Sequence, residues 1–162
     1  MKKIILSAFM LIGLTFAAHA QDISENALGL RLGSNDGFGK GVFYQRRMSD
    51  TNRMELDLGW RNSKDVDAFK LAGIYQWVWY IDGGFNWYAG VGGGLGGWSN
   101  SNHTNGTFIF TTGNVGIEYN FDIPLQLSLD SRPELYFGNY KYTNSNLGTV
   151  SPNIALGIRY RF

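Results

Sequence analysis

Residues 154–162 read Ile-Ala-Leu-Gly-Ile-Arg-Tyr-Arg-Phe, and this stretch at the end of the chain decides the fold class. Large apolar side chains stand at every second position, and the residues between them are small or charged. Because successive side chains of a β-strand point to opposite faces, one face carries Ile154, Leu156, Ile158, Tyr160 and Phe162. The other face carries alanine, glycine and two arginines. Such a strand separates an apolar medium from a polar one.

The same alternation recurs along the chain, most clearly in residues 53–61, Arg-Met-Glu-Leu-Asp-Leu-Gly-Trp-Arg. Turn-forming clusters of Ser, Asn, Asp and Gly separate the alternating segments. We therefore predict eight strands near residues 26–33, 38–48, 53–61, 68–80, 85–96, 107–121, 125–137 and 154–162. The two longest polar loops are expected at 97–106 and 138–151. Pro133 cannot donate a ladder hydrogen bond, so a bulge or fraying is expected there.

The first twenty residues have the features of a secretory signal peptide. Lys2 and Lys3 form a basic region, residues 4–17 are apolar, and Ala18-His19-Ala20 supplies a small-x-small cleavage pattern. The apolar run is shorter than the ~20 residues of a spanning helix. We expect residues 1–20 to be removed, with Gln21 as the first mature residue and residues 21–162 as one domain exported to a bacterial envelope.

Composition narrows the function classes. Without residues 1–20, the chain has 12 Lys and Arg against 13 Asp and Glu, which implies no nucleic-acid partner. It has no cysteine, so disulfides, thiolate metal sites and lipidation at the cleavage point are excluded. Glycine is abundant, with 22 residues, and 15% of the chain is aromatic. A bilayer-spanning strand needs ~9 to 11 residues, so the length fits an all-β, eight-stranded, antiparallel, up-and-down transmembrane β-barrel.

Aromatic residues test this layout, because membrane barrels carry aromatic girdles at both interfaces. If both termini are periplasmic, one girdle is expected at that level: Tyr44, Trp77, Trp79, Phe85, Trp87, Tyr119, Phe121, Tyr160 and Phe162. The second girdle is expected at the outer level: Trp60, Phe69, Trp98, Phe108, Phe110, Tyr136 and Phe137. Between them, the outward residues are mostly aliphatic.

The ordered set of segments resembles the small eight-stranded outer-membrane β-barrel proteins of the OmpX and OmpA transmembrane-domain type. The segments that carry the resemblance are residues 54–60, 86–92, 116–119, Pro124 with 125–129, 132–134 and 157–162. The resemblance covers the whole mature chain and implies localisation in the cell outer membrane. In that family the aromatic-ended last strand is similar to the signal read by the barrel assembly machinery, which implies that Ile158, Tyr160 and Phe162 guide insertion.

The inward face of the predicted barrel collects charged residues of both signs. Its acids are Glu55, Asp57, Glu118, Asp130 and Glu134. Its bases are Arg31, Arg47, Arg53, Arg61, Lys70, Arg132, Arg159 and Arg161. These charges could line a narrow porin-like pore. An eight-stranded barrel is only wide enough for its own side chains, however, so we expect the charges to pair and fill the lumen.

Other motifs yield no site. Gly92, Gly94 and Gly97 satisfy GxGxxG, but a polar loop follows where a nucleotide site needs a helix. Asp65 with Asp67 could bind a hard cation weakly, and a solvated turn is the simpler interpretation. The region around Ser145 faintly resembles lipid A deacylases. It lacks the histidine that would activate the serine, and the histidine that remains after leader removal, His103, lies in another loop.

A soluble lipocalin-like barrel, with apolar side chains around a ligand, is a further alternative. The two predicted aromatic girdles and the terminal Phe162 favour a membrane barrel over a soluble one. The expected function is therefore a monomeric outer-membrane barrel with a structural or interaction role, no cofactor, no metal and no catalytic residues. Its partners would be outer-membrane lipids and lipopolysaccharide, with the barrel assembly machinery during insertion. A narrow pore is the first alternative.

Overall fold

The chain folds into a closed antiparallel β-barrel in the computed structural model, which describes residues 23–33, 40–62, 66–100, 105–138 and 151–162. The strands are β1 (Asn26–Gly33), β2 (Lys40–Arg47), β3 (Asn52–Asn62), β4 (Val66–Asp82), β5 (Phe85–Asn100), β6 (Asn105–Asn120), β7 (Leu125–Gly138) and β8 (Ser151–Arg161). Each strand pairs with the next, and β8 pairs with β1 to close the barrel. The predicted eight-stranded up-and-down fold is confirmed. In the described part of the chain, no helix is long and apolar enough to cross a bilayer.

The barrel has two distinct ends. At one, called the terminal end, Asn26 and Phe162 exchange two backbone hydrogen bonds of 3.0 and 2.9 Å. The turns after β2, β4 and β6 lie at this same end. The turn after β4 is the tightest, and its two residues, Gly83 and Gly84, have φ values of 57° and 89°. L-residues with side chains rarely adopt such φ values. The opposite end, where β1, β3, β5 and β7 finish, is called the loop end.

The prediction of a polar loop at residues 97–106 is wrong for most of these residues. Strand β5 continues to Asn100 and β6 begins at Asn105, so residues 101–104 connect them. Ser99 pairs with Asn105 on β6 and with Asp67 on β4. Polar composition suggested a loop, but the ladder partners on both sides extend the strands. The loop expected at 138–151 falls largely on residues 139–150, outside the described residues.

Pro133 interrupts one ladder without causing a bulge or fraying. The β6–β7 pairing passes from Thr112 with Glu134 to Val115 with Ser131, so the register is the same on both sides of the interruption. The Thr112 hydroxyl donates to the carbonyl oxygen of Gly113, the residue opposite Pro133, at 2.7 Å, and lies 3.2 Å from the Pro133 carbonyl oxygen. Beyond the proline, β7 continues to residue 138. The expected bulge is therefore wrong, because the Thr112 hydroxyl supplies a donor to the Gly113 carbonyl, which faces a proline that has no N–H.

Burial alternates along the strands as the sequence pattern predicts. In β6, for example, Asn114 and Glu118 are buried while Val115 and Ile117 are half exposed. The buried residues point into the barrel, and the exposed ones form its outer wall. The exterior is therefore largely aliphatic and aromatic, and the interior is largely polar.

Candidate functional site

Ten charged side chains of the described residues are buried inside the barrel, with at most 5% of each residue exposed. Five are basic and five are acidic, so their formal charges cancel. The basic residues are Arg31, Arg53, Lys70, Arg132 and Arg159. The acidic residues are Glu55, Asp57, Glu118, Asp130 and Glu134. Each takes part in at least one ion pair.

Glu118 joins one part of this interior network. Arg53 donates to both of its carboxylate oxygens, from Nη1 at 2.9 Å and from Nη2 at 2.8 Å. Arg159 Nη1 lies 3.4 Å from the same carboxylate. Arg53 also donates from Nε to Gln76 Oε1 at 2.6 Å, and its guanidinium lies 4.8 Å from the ring centre of Tyr88. A bidentate pair of this kind is both strong and orientation-specific.

Arg132 joins the second part of the network. Its guanidinium pairs with Glu55, and Nη1 donates to Asp57 Oδ2 at 2.6 Å. Its Nε lies 3.4 Å from Asp130, which also accepts from Arg31 Nη2 at 2.7 Å. Thus one arginine of β7 connects two carboxylates of β3 across the barrel with one on its own strand.

Neutral amides link these ion pairs, and the sequence analysis did not single them out. Gln45 donates to Glu55 Oε2 at 2.5 Å. Gln76 donates to Glu55 Oε2 at 3.3 Å and to Asn114 Oδ1 at 2.8 Å. All three amides stand at inward positions of their strands, so the alternation in the sequence could have identified them as interior residues.

Nearer the loop end, a third ion pair lies below a layer of aromatic rings. Lys70 Nζ donates to Glu134 at 2.9 Å, and the Tyr136 hydroxyl donates to the same carboxylate. Three buried aromatic residues pack there with one another and with alanine side chains: Trp98, Phe108 and Phe110. A cavity of about 10 Å³ lies between Arg31, Asp57 and Lys70, about the space of one water molecule.

This layer corrects the expected outer girdle. Trp98, Phe108 and Phe110 are 7%, 2% and 2% exposed, and with Tyr136 they face inward. On their strands the even-numbered residues face inward, and all four rings stand at even-numbered positions. The alternation therefore places them inside the barrel and not in a girdle. Three members of the expected girdle do face outward: Trp60, Phe69 and Phe137.

An apolar cluster lies inside the barrel toward the terminal end. Ile23, just before β1, is 5% exposed and packs with Val78 and Tyr88. Polar side chains share this end with the cluster, because Asn86 and Gln126 are also buried there.

Glycine makes room for the largest inward rings. A Cβ on Gly116 would lie 2.5 Å from Tyr88 Cζ, and one on Gly94 would lie 2.6 Å from Phe110 Cζ. Both distances are too short for a real contact. The rings therefore occupy the space that a side chain at these positions would need.

Two arginines assigned to the lumen lie at its rim instead. Arg47 has 37% of its side chain exposed and pairs with Glu25 at 3.3 Å. Arg161 donates to the backbone oxygens of Phe121 at 2.7 Å and Ile123 at 3.2 Å. Both follow the inward alternation, but they stand where their strands reach the terminal end. The side chain of Arg61 lies outside the described part.

The three residues predicted to guide insertion lie on the outer wall at the end of the chain. Ile158, Tyr160 and Phe162 face outward and are 49%, 60% and 61% exposed. Asp67 is exposed on the outer wall. The signal-cleavage residues lie outside the described residues, as do Asp65, His103 and Ser145. No group of three or more His, Cys, Asp or Glu within the described ranges is arranged to hold a metal ion.

Outward aromatic rings cluster at the terminal end, as the first predicted girdle requires. Trp79 and Trp87 stack with ring centres 4.3 Å apart, and Tyr119 contacts Phe85 at 4.6 Å and Phe121 at 4.7 Å. These contacts join β4, β5 and β6 on the outside of the barrel.

Comparison with solved structures identifies the fold. The chain is similar to the N-terminal β-barrel domain of Pseudomonas aeruginosa OprF, with a TM-score of 0.61, 14% identity, and coverage of 89% of this chain and 100% of that one. It is similar to Neisserial surface protein A, with a TM-score of 0.56, 15% identity, and coverage of 85% and 93%. It also matches the de novo designed TMB2.3, with a TM-score of 0.51, 16% identity, and coverage of 86% and 94%. No protein-family model and no curated protein matches the chain.

Proposed function

We propose that the chain is a β-barrel of a bacterial outer membrane, with a structural or interaction role, no cofactor and no catalytic activity. The observation that carries this proposal is the distribution of polarity across the barrel wall. Large apolar side chains such as Leu30, Val91 and Leu156 are 58%, 58% and 60% exposed, while ten charged side chains are buried. Apolar-out and polar-in alternation is the arrangement that a bilayer requires of a barrel.

The same distribution argues against a soluble lipocalin-like barrel. Such a barrel needs apolar side chains around its ligand and polar ones in contact with water. Here the interior holds Arg53, Glu118 and their partners, and the wall that would face water is aliphatic and aromatic.

The ion pairing supports a filled lumen over the porin-like alternative. Removing a charge from water costs several kcal/mol unless a partner and hydrogen bonds compensate for it. The ten buried charges pair with one another, and the apolar clusters that contain Ile23 and Phe108 also lie inside the barrel. Side chains of this size occupy the interior of an eight-stranded barrel, so we infer that the network stabilises the barrel and that ions do not pass.

The partners follow from the outer wall. Exposed aliphatic rows would contact membrane lipids, including lipopolysaccharide in the outer leaflet. The exposed Tyr160 and Phe162 at the end of β8 would be read by the barrel assembly machinery. A monomer suffices, because the closed barrel leaves no sheet edge unpaired.

Cell fractionation tests this proposal. The full chain, expressed in a Gram-negative bacterium, should sediment with outer membranes on a sucrose gradient and resist extraction at high pH. Unboiled protein should migrate faster on a denaturing gel than boiled protein, because a folded barrel remains compact. Recovery of folded protein in the soluble periplasmic fraction would contradict the proposal.

A further inference from the structure

A cavity of about 660 Å³ opens at the loop end along β3 to β6, and its lining includes three residues at inward positions, Ala68, Trp98 and Gly106. Two neighbouring rows of residues that cross these four strands supply most of its lining. The row nearer the loops is polar, each member pairs with the next, and all four are exposed: Asn62, Asp67, Ser99 and Asn105.

The second row supplies two large rings and two small residues: Trp60, Phe69, Gly97 and Thr107. Trp60 is 43% exposed and Phe69 is 52% exposed. The Phe69 ring lies against Gly97, where a Cβ would be 3.0 Å from Phe69 Cε1. The Phe69 ring therefore covers Gly97, which is buried, while Thr107 at the end of the row is exposed.

A third row continues the apolar surface away from the loops: Leu58, Leu71, Leu95 and Ile109. Their exposed fractions are 47%, 46%, 53% and 61%. The groove thus passes from amides, a hydroxyl and a carboxylate, through aromatic rings, to aliphatic side chains. That order matches an amphiphile that lies parallel to the strands.

The charge of the groove limits the headgroup that it fits. Among the described residues that line it, Asp67 is the only charged one, and none is basic. A phosphate would need Arg or Lys donors and would be repelled by this carboxylate. The amide and hydroxyl groups of the row instead donate to and accept from sugar hydroxyls, and the Asp67 carboxylate accepts from them. Trp60 offers an aromatic ring beside them.

We propose that this groove binds one glycolipid of the surrounding leaflet through an uncharged, hydroxyl-rich part of its sugar headgroup. The polar row binds the sugar hydroxyls, the rings pack on the sugar and the first carbons of the chain, and the aliphatic row contacts the acyl chain. The cavity volume lies within the usual range of small-molecule sites. The proposal rests on the membrane location proposed above and names one lipid class and its site.

An NMR titration tests the groove. The full barrel, folded in dodecylphosphocholine micelles, is titrated with octyl-β-D-glucoside while backbone amide shifts are recorded. We expect saturable shifts concentrated at Asn62, Asp67, Ser99 and Asn105. Asp67→Ala should raise the half-saturating concentration roughly fivefold, as the loss of one hydrogen bond predicts. Asp82→Ala is the matched control, because it removes an exposed carboxylate from the other end of the same strand and should change nothing.

Three outcomes would overturn the proposal. The first is a set of shifts that grow linearly or appear equally at both ends of the barrel. The second is equal weakening by the two aspartate variants. The third is saturation by free glucose at the same concentration, which would indicate a soluble saccharide rather than a glycolipid. Each is measured on protein already shown to fold in the outer membrane, so failure of the groove is distinct from failure of the membrane assignment.

Discussion

At the scale of single residues, the stability of the fold depends on buried ion pairs, in which the loss of one charge leaves its partner unpaired. Glu118 is 2% exposed and accepts from Arg53 at two oxygens, with Arg159 also within 3.4 Å. The remaining partners would keep their charge if the carboxylate were lost. Removing one member of a buried pair is therefore more costly than the net contribution of the pair.

Glu118→Gln should lower the free energy of unfolding by about 3 to 5 kcal/mol, because it leaves buried guanidinium charge uncompensated. The measurement is a urea titration of barrel folded into lipid vesicles, followed by gel mobility. Glu25→Gln is the control, since Glu25 also pairs with an arginine but has 76% of its side chain exposed. Its effect should stay below about 1 kcal/mol. Equal losses in the two variants would contradict the interior network.

The alternation in the sequence predicts which charged residues face inward, but not which of them meet. Arg31 and Asp130 are 99 positions apart and pair only because β8 closes onto β1 beside β7. Alternation also assigned Arg47 to the lumen, because it specifies the side of the wall and not the position along the axis. Ion-pair partners and rim positions can therefore be assigned only from the closed barrel.

At the scale of strands, the stability of the barrel in a bilayer depends on the side chains that each strand turns outward. Leu58 stands near the middle of β3 and is 47% exposed, whereas Asn62 ends the same strand on the same face. Sequence patterning identified this face on each strand, except that the girdle prediction placed four inward rings of β5, β6 and β7 on it. It missed the ends of β5 and β6, where Ser, Asn and Gly suggested a loop and strand pairing extends the sheet.

Leu58→Arg should destabilise the barrel by about 2 to 4 kcal/mol in lipid vesicles, because it places a guanidinium near the bilayer midplane. Asn62→Arg, at the loop end of the same face, should cost only about 0 to 1 kcal/mol. Refolding titrations of both variants provide the comparison. If the two costs were equal, the outer wall of β3 would not lie in the hydrocarbon.

The end of β8 makes a separate prediction about assembly. Phe162→Ser keeps the backbone hydrogen bonds to Asn26 while removing the exposed ring. We expect a reduced yield of folded barrel in the outer membrane of cells, with unchanged folding into vesicles in vitro. Phe85→Ser removes another outward ring at the terminal end and should leave the cellular yield unchanged. An unaltered yield for Phe162→Ser would argue against an assembly signal in this ring.

At the scale of the whole molecule, the barrel is layered along its axis. Ile23 and Val78 pack near buried Asn86 toward the terminal end, the paired charges run through the interior, and aromatic rings lie toward the loop end. The sequence predicted the eight strands and the polar interior. The girdle assignment missed the inner aromatic layer, although Phe110 has the same strand parity as inward Glu118 and Tyr136 has that of inward Glu134.

Planar-bilayer recording on the purified barrel tests the central claim of a membrane barrel with a filled lumen most directly. The wild-type protein should give no steady single-channel conductance. Glu55→Gln and Glu118→Gln should lower stability without opening a path, because the remaining side chains still obstruct the axis. Reproducible wild-type currents, with an ion selectivity that either substitution changes while stability is unaltered, would contradict the filled lumen and establish the pore.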